Sequence, residues 1–181
     1  MIGTLFGKKR ITEEKVAHAF VNAMLDLAAD GFATMAEELN EAPEFGTRPV
    51  VDTQDTLPFG LILLAGNLME APCHLESGQD RRFAAHSISI YSEAIGMRCS
   101  DLEQEVQRQQ ALMRHLNHPS KNTVYAMSKL LFHAYDLFRF QEPYFRDQRA
   151  PNPILLKRIN GMMAYFLWDW TALKEEYRIT H

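Results

Sequence analysis

The stretch LPFGLILLAGNLMEAPCHLE, Leu57 to Glu76, constrains this chain more than any other. From Leu57 to Met69 its only polar side chain is Asn67, and Leu61, Ile62, Leu63, Leu64, Leu68 and Met69 point to every side of a helix. A helix apolar all round has no face for water, so other helices must enclose it. Pro58 suits a first helical turn, where a missing N–H costs nothing, and Pro72 is expected to end the helix. The resulting central helix, about residues 57–71, is shorter than the ~20 apolar residues a bilayer crossing needs. The stretch therefore predicts an all-α, single-domain bundle packed around one short apolar helix.

Length and charge agree with one globular domain spanning 1–181. With 181 residues the chain is long enough to bury one sizeable core, and a hydrophobic share of 46% argues against disorder. The formal net charge is −4, and the longest basic run is Lys8-Lys9-Arg10. So short a run does not track a phosphate backbone, which excludes nucleic acid as the expected partner. At the N-terminus an apolar piece precedes the basic residues, the reverse of a signal peptide, and Met1-Ile2 lacks the glycine that myristoylation requires. Residues 1–11 are expected to be a flexible lead-in. Cys73 and Cys99 are expected to stay reduced in a cytoplasmic protein.

Six helices can be read from the spacing of apolar residues. Thr12 is the expected N-cap of the first, which runs to Ala42 with Val16, Phe20, Met24, Phe32, Met35 and Leu39 on one face and a kink at Gly31. Residues 43–56 form a loop into the central helix. The third helix covers 79–97. The fourth is capped by Ser100 and carries a narrow seam at Leu102, Val106, Gln109, Met113 and Leu116. The fifth runs from the Asn117–Ser120 break to about Gln141, and the sixth from Ile154 to Tyr177. No stretch alternates with period two for long, so no sheet is expected, and no internal repeat is read.

Two polar groupings are candidates for ligand binding. Glu70, Cys73, His74 and Glu76 gather where the central helix ends, with Asn67 a further candidate earlier on that helix; a carboxylate, a thiol and an imidazole there would suit ligation or proton transfer. Against this stands the plainer reading that they only close the helix. On the third helix Arg82, His86, Ser89 and Glu93 recur at three- and four-residue spacing and would form one row, suited to an anion or equally to a solvated flank. His115 and His118 lack the further ligands a zinc site needs, and no Glu-x-x-His, HExxH, phosphate-loop or G-x-S-x-G pattern occurs. No metal or cofactor is expected.

Aromatic residues on the outer sides of the last two helices suggest contact. Tyr125, Phe132 and Phe140 lie away from the fifth helix's core face, and Tyr165, Trp168 and Ala172 form a strip opposite Trp170 on the sixth. Aromatics are enriched at interfaces. The sequence thus points to a non-enzymatic interaction or regulatory domain binding a protein partner or a second copy of itself. The alternative is a small-molecule-binding bundle or enzyme, with a pocket near the C-terminal end of the central helix and the Arg82/His86/Glu93 stripe.

Overall fold

A computed structural model describes residues 8–118 and 121–180. The signal-peptide and myristoylation readings, on Met1 and Ile2, lie outside the described residues, as do Pro119 and Ser120. The fold is all-α apart from one small sheet. A 29-residue helix α1 (Glu13–Glu41) is followed by the central α2 (Thr56–His74), α3 (Gln79–Ile95), α4 (Cys99–Asn117) and α5 (Thr123–Ala134). Shorter helices α6 (Pro143–Asp147), α7 (Pro153–Met163) and α8 (Trp170–Glu176) complete the chain.

The apolar stretch is indeed the centre. Residues Phe59 to Leu68 of α2 are all buried, against α1, α4 and α5 with α3 alongside. Glycines let these neighbours approach closely. A Cβ on Gly66 would lie 2.4 Å from the Met127 sulfur on α5, and one on Gly60 would lie 2.5 Å from the Tyr91 hydroxyl on α3. Burial pushes that tyrosine up to about 12. At 19 residues α2 does have the length and apolar content of a membrane-crossing helix, longer than the 57–71 read from sequence. Pro72 does not end it: the helix continues to His74 with the proline in its last turn.

The start of α2 is held by a residue from another helix. Tyr135 closes α5, stacks on Phe32 at 4.9 Å, accepts the Phe59 N–H at 3.0 Å and donates to the Asp55 carbonyl at 2.7 Å. It thereby satisfies backbone groups that a helix N-terminus leaves open. Reaching that position takes the chain out of helix. Asp136 adopts φ 48° and a 3-10 turn, Leu137–Phe140, follows, so the fifth helix stops short of Gln141.

The helix α1 runs unbroken through Gly31, which admits the ring of Phe166, whose Cε1 would lie 2.3 Å from an added Cβ. Three further expectations are corrected. Arg98, not Ser100, stands at the N-cap of α4. The sixth helix is broken into α7, a 3-10 turn (Ala164–Phe166) and α8. And there is a sheet. Strands β1 (Lys9–Thr12) and β2 (Tyr177–Thr180) pair in parallel, with Arg10 opposite Arg178, Ile11 opposite Ile179 and Thr12 opposite Thr180. The tripeptide Arg-Ile-Thr occurs twice in the chain and is aligned with itself, a repeat the sequence reading passed over. Most of the lead-in expected to be flexible from 8 to 11 is therefore strand; residues 1–7 lie outside the described residues.

Candidate functional site

Of the residues expected to bind a ligand, Asn67 is wholly occupied within the core. It is 1% exposed; its Nδ2 donates to the Leu63 and Phe166 carbonyls and its Oδ1 accepts the Trp168 N–H. This bond set breaks the sixth helix, since both backbone partners of Asn67 beyond α2 lie in the 164–169 break. Glu70 accepts a hydrogen bond from the Thr123 hydroxyl. It faces a different cleft, shared with Cys73, Arg114, His118 and Lys121.

The row expected along α3 does not form one site. Arg82 reaches across to α1, where Nε and Nη2 make a bidentate pair with the buried Glu13 carboxylate at 2.6 and 2.9 Å. That partner raises the pKa of the guanidinium. His86 and Glu93 are exposed. Among the described residues no three His, Cys, Asp or Glu side chains gather as a metal set, and both cysteines are free and exposed.

The expected interface strip is also redistributed. Phe132 is fully buried, 5.4 Å from the Phe138 ring, and Trp168 turns inward to meet Phe20 edge-on at 5.7 Å. Both are core contacts. The break after Met163 is what rotates Trp168 away from Tyr165, which remains 85% exposed, and Ala172, also exposed. Tyr125 is half-buried beneath the Lys129 ammonium, 4.5 Å from its ring centre. The continuous outward strip does not exist.

Of the residues expected at the end of the central helix, His74, with Cys73 and Glu76, borders an open groove of about 560 Å³ at the C-terminal end of α2. Its ring stacks on Trp170 at 5.4 Å with 9° between planes. Burial, with the nearby Lys174 charge, lowers its pKa, partly offset by Glu70. Cys73, Leu75, Glu76 and Gln79 extend that wall, and Lys174 with Tyr177, Arg178, Ile179 and Thr180 form the other. All four residues of β2 line the groove and none of β1 does. Among the described residues the sheet has two strands, so β2 keeps one edge that β1 does not pair.

These β2 residues escaped the sequence reading because Trp170–Tyr177 continues a helical apolar pattern and four residues are too few to show alternation. The signal available was the repeated Arg-Ile-Thr. Compared with protein-family models, with curated proteins and with solved structures, the chain matches none.

Proposed function

We propose that this chain is a non-enzymatic binding domain that captures an extended, acidic segment of a partner protein along the free edge of β2. The observation that carries this reading is the groove itself, with a strand edge on one side and Lys174 and Arg178 on the same wall. An unpaired strand edge offers N–H and C=O groups to an incoming strand, which is how β-augmentation supplies affinity. Lys174 and Arg178 add charge complementarity to carboxylates, which steers encounter and fixes register. On the opposite wall His74 stacks on Trp170 and the Leu75 N–H donates to the Ala71 carbonyl.

A small-molecule pocket at the end of the central helix keeps this location but loses its ligands. Asn67, Glu70, Arg82, His86 and Glu93 all lie elsewhere, and His74, Cys73 and Glu76 remain on the groove wall. Fluorescence anisotropy with labelled peptides of alternating Glu and Val tests the proposal. Binding is expected for the acidic peptide, and not for the Lys-Val counterpart or for an acidic peptide interrupted by proline, which cannot pair its backbone. Equal binding of the proline-interrupted peptide would reduce the groove to a charged surface and refute strand addition.

A further inference from the structure

Beside that groove, and sharing Lys174, Tyr177 and Arg178 with it, the geometry points to a second site: a phosphate-binding cluster formed where β1 and β2 meet. Lys8, Arg10, Lys174 and Arg178, with Tyr177, line a cavity of about 540 Å³ that has no acidic residue in its described wall. The cluster stands out in a chain of net charge −4. The run Lys8-Lys9-Arg10 alone is too short to hold a polyanion. Pairing with β2 brings it against two cations more than 160 positions away, which no local reading of the sequence shows.

Strand geometry sorts these cations by face. Successive side chains alternate, and residues directly opposite share a face. Lys9 and Tyr177 are opposite one another, with the Lys9 ammonium 5.8 Å from the tyrosine ring and bonded to Glu176 at 3.1 Å. Ile11 and Ile179 are on that same face and pack on the core. Arg10 and Arg178 therefore share the outer face, Lys8 lines the same cavity just before β1, and Lys174 joins them from the last turn of α8.

Arg10 and Arg178 are cross-strand partners, on strands ~4.8 Å apart. Like charges directly opposite destabilise a strand pair. Among the described residues neither arginine, nor Lys8, nor Lys174 has a carboxylate partner, whereas Lys9 beside them takes Glu176. A bound dianion removes that repulsion. Two guanidinium forks and two ammonium groups around one cavity provide the donors that phosphate oxygens accept, and arginine does so in bidentate fashion. The ligand class is thus a phosphate group, whether on a soluble phosphate ester or on a lipid headgroup.

The test uses the full chain with inorganic phosphate and pyrophosphate as probes, compared with chloride at matched ionic strength. Phosphate is expected to raise the thermal unfolding midpoint in a saturable way, as ligands that bind only the folded state do. The double variant Arg10→Gln/Arg178→Gln is expected to unfold at the same or a higher temperature without phosphate, having lost the like-charge pair. It should bind the probes about tenfold more weakly or worse, as expected when two charge-assisted donors are removed. Lys9→Gln should keep the phosphate response. Co-sedimentation with phosphatidylcholine vesicles, with and without a phosphoinositide, separates the sources. Retention on phosphoinositide vesicles alone assigns a headgroup, and phosphate binding without retention assigns a soluble ester. An identical response to chloride, or an undiminished phosphate response in the double variant, overturns the site. Arg10 lines this cavity and not the β2 groove, so Arg10→Gln alone distinguishes failure here from failure of peptide binding.

Discussion

The side-chain amide of Asn67, midway along the central helix, holds the backbone on both sides of Leu167. Its Oδ1 accepts the Trp168 N–H at 2.7 Å while its Nδ2 donates to the Phe166 carbonyl at 3.0 Å. One buried polar side chain thus fixes where the C-terminal part of the chain leaves helix and turns Trp168 onto Phe20. Replacing Asn67 with leucine leaves a buried N–H and a buried carbonyl without partners, each costing about 1–3 kcal/mol. Asn67→Leu is therefore expected to lose ~2 kcal/mol or more in denaturant unfolding, although leucine is the better helix former. A variant as stable as the parent would mean that the 164–169 break is held by something else.

Gly31 makes a second, opposite-looking exchange. Glycine in a helix interior normally gives up about 1 kcal/mol against alanine, yet here the missing Cβ is the space that Phe166 fills. That ring is pinned edge-on against Phe59 at 5.0 Å, so it cannot swing aside cheaply. Gly31→Ala is expected to destabilise by about 1–3 kcal/mol, the range for overpacking. A gain in melting temperature would contradict the close approach.

These two residues mark how far the sequence can be read. Leu57–Met69 announced a fully enclosed helix because hydrophobicity on every side has a single physical resolution, and the first four helices follow from apolar spacing and breaks that are local. The remainder depends on contacts between residues far apart. Whether Asn67 is a ligand or a clamp depends on which backbone lies 99 to 101 residues later. Tyr135 leaves its helix to cap α2, and no spacing within residues 123–141 reveals that partner. A groove does lie at the end of α2, without the expected Arg82, His86 and Glu93, and its far wall, Lys174 to Thr180, includes a strand paired with the other end of the chain. The repeated Arg-Ile-Thr was its only trace in the sequence.

The lowered pKa of two histidines sets the sign of an expected pH dependence of stability. Burial lowers the pKa of His74, helped by Lys174, and of His133, helped by Arg149. The folded state therefore binds these protons less readily than the unfolded chain, whose imidazoles titrate near ~6.5. Stability from this source is complete above that pH and falls as pH drops through it, because protonation favours the unfolded chain. Melting temperature is expected to decline from about pH 7 to 5, above the ordinary carboxylate range. The double variant His74→Gln/His133→Gln should flatten that decline; an unchanged slope would place its origin in other groups.

The central claim is that the free edge of β2 accepts an extended acidic strand, and backbone amide exchange reads that edge directly. Exchange is followed residue by residue by NMR, with and without the alternating Glu-Val peptide at saturating concentration. The account expects amides within Tyr177–Thr180 that do not face β1 to slow on binding, since a new strand would take their hydrogen bonds. Amides of α7, none of whose residues line the groove, should exchange as before. If the peptide binds and no amide of Tyr177–Thr180 slows, the partner does not pair with this strand and the account is wrong.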